Sequence, residues 1–280
     1  MYWTFTTDGL DKMVPKEAMH TPTMQLTEGD IGSLQTVEQL DLDDAFKTLG
    51  IHHMTISGNQ TAQIADMKKK SDDHAKGILS VSVTNFEAWT GLFTIWLGKM
   101  NYPLAATSIP RRACETIQSK AINASLSKCG FSRKTSRAVV FGAFWFGGLG
   151  WRHIYFKEGI LHTLTIIKHL RTLGPFQSLL RICLDWYQVI AGVSFLPLGM
   201  PEIPLNYTNS PCLDFTCTFL RHCSAQLVIP GITLPKLQRT HNKCIMNGIL
   251  DLNLPPTTMK RINTCRLYGS KLRPSATLAT

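Results

Sequence analysis

A group of cysteines and histidines in the last third of the chain has residue types that could bind zinc. Four residues come closest to ligand spacing, namely Cys212, Cys217, His241 and Cys244. Structural zinc sites use ligand pairs with about two to four intervening residues, and both pairs meet that limit. A competing interpretation places Cys217 on the apolar face of a helix. We favour the helix and predict no metal site and no cofactor, and zinc binding stays open at these four positions.

Adjacent carboxylates at Asp43 and Asp44 could hold a pair of divalent metal ions. Enzymes that form or cleave phosphodiesters use such pairs to stabilise the attacking and leaving oxygens. The pair is expected in a hairpin with apolar strands on both sides. Here the flanking segments 38–41 and 45–47 are largely polar or charged, so we interpret both residues as solvated acids.

Other catalytic patterns are absent from the sequence. It contains neither G-x-S-x-G nor HExxH, and adjacent His52 and His53 would point to opposite faces of a strand. The run Gly147–Gly150 is not followed by the lysine of a phosphate-binding loop. It favours a tight turn in which backbone segments pack closely. We predict no catalytic residue and a protein that is not an enzyme.

Charge is distributed unevenly along the chain. The net charge is +10, yet residues 1–75 hold 6 basic and 12 acidic side chains, whereas residues 76–280 hold 23 and 7. A long basic segment favours a polyanionic partner. The run Lys68–Lys70 precedes Asp72 and Asp73, which partly cancel its field, so we interpret it as a solvated face.

The densest basic cluster follows a predicted helix. This cluster runs from Lys128 to Arg137. Arg111 and Arg112 begin the preceding helix, where the helix dipole disfavours cations unless an anion lies opposite them. Cationic loops rich in serine and threonine bind phosphates well. We therefore predict six nucleic-acid-binding residues: Arg111, Arg112, Lys128, Arg133, Lys134 and Arg137.

Hydrophobic periodicity predicts helices from about Gln60 onwards. The stripe Phe86, Trp89, Leu92, Phe93, Trp96 and Leu97 has helical spacing typical of a core face. Ser108 is a plausible N-cap for the next helix, whose inward residues would include Cys114 and Ile117. Further helices are predicted over residues 158–173, 175–191 and 213–227. Their apolar faces would carry Ile160, Leu161, Leu164 and Ile167 in the first, and Phe176, Leu179, Leu180, Cys183, Trp186 and Ile190 in the second.

The amino-terminal residues Met1–Thr4 lack the basic and apolar regions of a signal peptide. The longest apolar stretches, residues 86–97 and 138–151, are shorter than the roughly 20 residues needed to span a bilayer. We expect reduced cysteines, no membrane partner and an intracellular location, with nucleus and cytoplasm both left open.

Several short blocks occur in an order that resembles a known family. Phe46–Gly50 resembles the (F/Y)-K-Y-L-G block that follows the catalytic hairpin in reverse transcriptases of non-LTR (LINE-like) retrotransposons. Residues 97–104 resemble a later block ending in Tyr-Pro-Leu, with Gly98 where a proline is common. Val139–Gly142 followed by Gly147–Gly150 resembles the Gly-Gly-Leu-Gly block. Segments 238–246 and 261–268 resemble further blocks in a subset of these reading frames.

The resemblance covers residues 1–268 and implies a mainly α fold. It implies a helical thumb-like bundle and a small amino-terminal β/loop remnant of a polymerase palm. The implied domains are palm-remnant strands and loops over 1–58, a thumb-like helical region over 59–150 and a carboxy-terminal helical extension over 151–268. Separately from the resemblance, the terminal residues 269–280 are predicted to be a disordered tail. The family's catalytic positions have no counterpart in this sequence, which implies a truncated, non-catalytic copy.

These observations predict a non-catalytic remnant of a reverse transcriptase that binds RNA or an RNA–DNA hybrid through the phosphate backbone. The missing catalytic part of the polymerase is a second expected partner. The alternative is a helical protein-interaction module without a nucleic-acid role, which would use exposed aromatic residues such as Trp145 and Trp151.

Overall fold

The computed structural model of the chain describes residues 4–7, 13–16, 25–28, 33–36, 47–52, 60–208, 210–228 and 244–272. The chain divides into two compact units, Met1–Phe46 and Lys47–Thr280. The described part is mainly helical, which confirms the predicted fold class.

The first unit contains two short antiparallel hairpins among its described residues. Strand β1 (Thr4–Thr7) pairs with β2 (Met13–Lys16), and β3 (Gln25–Glu28) pairs with β4 (Ser33–Thr36). The candidate carboxylates Asp43 and Asp44 lie outside the described residues.

The second unit opens with a two-residue hairpin and continues as helices. Strand β5 (Lys47–Thr48) pairs with β6 (Ile51–His52). The helices are α1 (Thr61–Ser80), α2 (Asn85–Thr90), α3 (Leu97–Leu104), α4 (Arg111–Lys128), α5 (Arg137–Phe141), α6 (Ile154–Arg171), α7 (Pro175–Ala191), α8 (Pro211–His222), α9 (Ile245–Leu250) and α10 (Pro256–Leu272).

Helix α10 ends at Leu272, inside the predicted tail, and residues 273–280 lie outside the described part. The predicted domain boundaries near residues 58, 150 and 268 stay predictions. Within the described residues, no helix is both long and apolar enough to cross a membrane.

Helix α4 is central to the first of two hydrophobic cores. Its predicted inward residues Cys114 and Ile117, followed by Ala121 and Ala124, are all buried. These small side chains allow α1 to lie close along α4, and this is the most extensive helix–helix contact among the described elements. The helix begins after Pro110 rather than after Ser108, so the predicted N-cap was wrong.

The second core lies where α6, α7 and α8 meet the later helices. Leu184 and Tyr187 of α7 are buried with Leu213 of α8 and Met246 of α9. The Tyr187 hydroxyl donates to Asp214 Oδ1 at 2.7 Å, which satisfies its polar end inside an apolar environment. This hydrogen bond also fixes α7 against α8.

The aromatic stripe over residues 86–97 does not form one continuous core face. A six-residue π-helical segment, Gly91–Trp96, joins α2 to α3. A π-helix has more residues per turn than an α-helix, so the side chains after this segment are rotated about the helix axis relative to those before it. Leu92 and Trp96 are therefore buried, and the Trp96 indole donates to Ser71 Oγ at 2.7 Å, whereas Phe86 and Trp89 are exposed.

Helix α6 buries only part of the apolar face that the sequence predicted. It starts at Ile154 rather than near Glu158, and Leu161 packs against the first core while Ile160 and Leu164 are exposed. The helix buries Glu158 and His162 instead. The periodic apolar residues were a misleading signal because the two polar side chains find hydrogen-bond partners inside the core. These hydrogen bonds offset part of the free-energy cost of burying the two polar groups.

Helix α7 likewise exposes most of its predicted apolar face. Phe176, Leu179, Cys183 and Trp186 are exposed, and the buried face carries Leu184, Tyr187 and Gln188 instead. A helix with apolar residues on nearly every side offers more than one candidate stripe, and periodicity alone cannot choose between them.

A buried carboxylate, Glu158, ties α6 to the segment that precedes α4. Its Oε1 accepts from the Ile109 backbone N–H at 2.8 Å and from the Thr107 hydroxyl at 3.1 Å. The Cys114 thiol donates to Oε2 at 3.6 Å. Burial raises the pKa of Glu158 to about 8 despite these three donors, because removing the charged form from water outweighs them.

We predict that Glu158 makes the protein less stable as pH rises. Its folded pKa exceeds the unfolded value, so the group's contribution is fully present below about pH 4.5 and is lost as pH rises through about 8. In Glu158→Gln this part of the pH dependence should vanish, a difference of roughly 2–5 kcal/mol between pH 5 and pH 9. Urea unfolding of both proteins across that range measures it, and parallel profiles would contradict the assignment.

Candidate nucleic-acid interface

The carboxyl end of α4 determines the direction in which the chain enters the predicted phosphate-binding loop. Gly130 has a φ of 82°, a left-handed conformation that favours glycine. The Phe131 N–H then donates to the Leu126 carbonyl at 2.9 Å, a Schellman-type closure of the helix. The chain therefore leaves α4 in a fixed direction. We refer to residues 128–137 as the basic loop.

A tight turn places two cations at the tip of the basic loop. The Thr135 N–H donates to the Ser132 carbonyl at 3.0 Å, and the Lys134 N–H donates to Ser132 Oγ at 3.1 Å. Arg133 and Lys134 therefore occupy the two central positions of the turn, where side chains project into solvent. Both are exposed, and neither side chain forms a hydrogen bond or ion pair with any residue that the structure describes.

The other two cations of the basic loop have intramolecular partners. Lys128 Nζ donates to the Val81 carbonyl at 2.7 Å, where it meets the negative end of α1. Arg137 Nη2 donates to Asn123 Oδ1 at 2.6 Å. A phosphate would compete with these contacts, so Lys128 and Arg137 position the loop and leave Arg133 and Lys134 as its free cations.

Arg111 and Arg112 lie at the opposite end of α4. The helix spans Arg111–Lys128, so this pair is about 25 Å from the basic loop. Arg111 is bound to Glu115 at 3.0 Å and to His222 Nε2 at 3.0 Å, whereas Arg112 is exposed. The six predicted residues therefore form two separate groups rather than one surface.

Beyond the basic loop, the chain reverses through a closely packed glycine turn, as the sequence predicted. The Gly150 N–H donates to the Gly142 carbonyl at 2.8 Å, and the Leu149 N–H donates to the Val139 carbonyl at 2.8 Å. A Cβ on Gly148 would overlap the Gly142 carbonyl oxygen. Gly147 has a φ of 77°, again a conformation that favours glycine.

Three consecutive aromatic residues occupy the tip of this reversal. Phe144–Phe146 form a single 3-10 turn, which we refer to as the aromatic turn. Trp145 and Phe146 are 87% and 89% exposed, and Phe144 is 63% exposed. Trp151 is only 3% exposed, so the expectation that it is available to a partner was wrong. Its side chain belongs to the first core.

The aromatic turn and the basic loop lie at the two ends of α5. This helix has five residues, so it is about 7 Å long. The Trp151 N–H donates to the Val140 carbonyl at 3.0 Å, which brings exposed Arg152 alongside the same helix. Arg152 was not among the predicted binding residues, since only the folded reversal places it beside α5.

His153, next to Arg152, contributes no positive charge to this surface at neutral pH. Its Nδ1 accepts from the Tyr155 N–H at 3.1 Å, which caps α6. Burial lowers the pKa of His153 to about 4 because the protonated ring would lose its hydration. The cations here are thus Arg133, Lys134 and Arg152, together with partly engaged Arg137.

The candidate zinc ligands do not converge in the described structure. Cys212 and Cys217 are five residues apart on α8, which places them about 140° apart around the helix. Cys212 Sγ lies 3.3 Å from His162 Nδ1, whereas Cys217 is buried in the second core. No group of three or more His, Cys, Asp or Glu among the described residues could hold a metal ion, and His241 lies outside them.

Compared with models of known protein families, with curated proteins and with solved structures, the chain matches none. The resemblance to non-LTR reverse transcriptases therefore rests on the ordered sequence blocks alone. Functional assignment depends on the geometry and charge of the described residues.

We predict that Gly148→Ala disrupts the reversal. The added Cβ would meet backbone rather than a movable side chain, so we expect a loss of about 2–4 kcal/mol in the free energy of unfolding. Gly98→Ala is the matched control, because a Cβ at this exposed helical position meets nothing within 4 Å. It should be neutral or stabilise by up to about 1 kcal/mol. Equal effects of the two substitutions in thermal unfolding would contradict the close packing.

Proposed function

We propose that the chain binds RNA or an RNA–DNA hybrid through phosphate contacts of the basic loop. We further propose that it does so as a non-catalytic remnant of a retroelement reverse transcriptase. The remnant origin is supported by the ordered blocks from Phe46 to Tyr268. The missing catalytic part of the polymerase is a second proposed partner.

The observation that carries the binding proposal is the position of Arg133 and Lys134. Two cations at the tip of a hydrogen-bonded turn, unpaired within the described part of the chain, cannot be explained as structural ion pairs. Arg152 adds a third exposed cation beside the same short helix. Guanidinium and ammonium groups form charge-assisted hydrogen bonds with phosphate oxygens, and a loop whose backbone is already fixed loses little backbone entropy on binding.

Binding of this kind has little sequence preference. Phosphates are the same at every nucleotide, so contacts to them position the nucleic acid without reading bases. Arg111 and Arg112 would reach a second segment about 25 Å away, which corresponds to roughly seven base pairs of a duplex. We assign the stronger contribution to the basic loop because Arg111 is already engaged by Glu115 and His222.

We predict that Arg133→Gln with Lys134→Gln weakens binding to a 20-base-pair RNA–DNA hybrid roughly tenfold at 0.1 M salt. The loss should be equal for hybrids of different sequence. Fluorescence anisotropy with a labelled hybrid measures the affinity. The matched control is Lys68→Gln with Lys69→Gln, which removes the same charge from exposed positions on α1.

The control substitution should change affinity less than about threefold, since it lowers the net charge but leaves the basic loop intact. If both double variants bind equally weakly, general charge rather than the basic loop is responsible. If neither differs from the wild type, the proposed site is wrong.

A helical protein-interaction module is the second candidate function. It is favoured by the exposed apolar side chains on α6 and α7, which include Ile160, Leu164, Leu179 and Trp186. Association through such faces would tolerate salt and carry a negative heat-capacity change. A folded chain that fails to bind the hybrid at any salt concentration would favour this function over the first.

A further inference from the structure

We propose that the aromatic turn stacks on unpaired bases, so that the nucleic-acid site prefers single strands to duplexes. This inference rests on the proposed function, since the basic loop supplies the phosphate contacts. It adds a ligand class and two residues, Trp145 and Phe146, that phosphate binding does not require.

The exposure of these rings is the first argument. Trp145 and Phe146 are 87% and 89% exposed, although large aromatic side chains normally contribute to a core. The backbone beneath them is closed by the hydrogen bond from the Gly148 N–H to the Ala143 carbonyl at 3.0 Å. The rings are thus held away from the protein on a turn of fixed shape, and both faces of each ring are available.

The direction of the rings is the second argument. Successive residues of a 3-10 turn are about 120° apart, so the exposed rings of Trp145 and Phe146 diverge from each other. A single strand can follow diverging rings because its bases rotate independently. A duplex cannot, since its base faces are already covered by neighbouring pairs.

The charge beside the turn is the third argument. Arg133 and Lys134 precede α5 and the aromatic turn follows it, and this helix is only about 7 Å long; Arg152 follows Trp151, whose N–H donates to the Val140 carbonyl of the same helix. Non-specific single-strand sites combine these same parts, a cationic track for the backbone and rings for the bases. Arg133, Arg137 and Arg152 carry planar guanidinium groups, which match the geometry of phosphate oxygens better than a lysine ammonium group does.

A membrane surface fits the geometry less well. Interfacial binding uses an apolar face that lies flat against the lipid. Trp145 and Phe146 diverge by about 120° around the turn, and Phe144 packs against Gly150, where a Cβ would lie 2.6 Å from its ring, so the turn presents no flat apolar face. We therefore commit to single-stranded nucleic acid.

The test compares the full-length chain with Trp145→Leu/Phe146→Leu. The probes are a fluorescein-labelled 12-nucleotide oligo-uridine and a 12-base-pair RNA–DNA hybrid, each titrated at several salt concentrations. The aromatic variant should bind oligo-uridine roughly 10- to 100-fold more weakly, with the slope of affinity against salt unchanged. Its affinity for the hybrid should stay within about threefold of the wild type.

Two further variants serve as controls. Trp186→Leu removes an exposed indole from α7 and should leave both affinities unchanged. Trp145→Phe/Phe146→Tyr keeps two rings and should retain most of the single-strand affinity. Because the substituted side chains are exposed, circular dichroism should show all variants folded.

Failure of this inference is distinguishable from failure of the proposed function. If Arg133→Gln/Lys134→Gln weakens binding but the aromatic variant does not, stacking is wrong and phosphate binding stands. If neither variant has an effect, both are wrong. If the aromatic variant instead loses binding to phosphatidylserine vesicles and keeps its oligo-uridine affinity, the turn is a membrane contact and the inference is overturned.

Discussion

The candidate nucleic-acid interface depends on one constraint, the close backbone contact between Gly142 and Gly148. No side chain larger than hydrogen fits at Gly148, and the surrounding hydrogen bonds close the reversal on α5. Because the backbone is in contact with itself at Gly142 and Gly148, Trp145 and Phe146 between them have no interior to occupy and project outwards. The same closure brings Arg152 back beside α5.

The framework beneath this surface is α4 and the helices packed on it. Small residues on α4 allow α1 to pack closely against it. At the carboxyl end of α4, Lys128 donates a hydrogen bond to the Val81 carbonyl. At its other end, Glu158 holds the segment before α4 through the Ile109 N–H and the Thr107 hydroxyl. The basic loop therefore begins from a helix that is fixed at both ends. A fixed loop loses less conformational entropy when it binds a ligand.

Part of this account could be predicted from the sequence, and the reasons for the rest are physical. The helical class, the inward residues of α4 and the packed glycine turn follow from periodicity and from glycine chemistry. The burial of Glu158 and His162 could not be foreseen, since their partners, such as Leu104 for His162, lie more than forty residues away along the chain. The π-helical segment that exposes Phe86 leaves no recognisable sequence signal.

The candidate site was anticipated only in part. Arg133 and Lys134 were identified from local charge density, which is a property of the sequence. The engagement of Lys128 and Arg137 depends on tertiary contacts with Val81 and Asn123 and had no sequence signal. Three consecutive aromatic residues next to glycines could have indicated an exposed turn, because neither helix nor strand periodicity accounts for them.

The salt dependence of wild-type binding to an RNA–DNA hybrid, followed by fluorescence anisotropy, tests the central claim most directly. Phosphate contacts by three or four cations predict a linear fall of log affinity against log salt, with a slope between about −2 and −4. Affinity that does not change from low to high salt would contradict it.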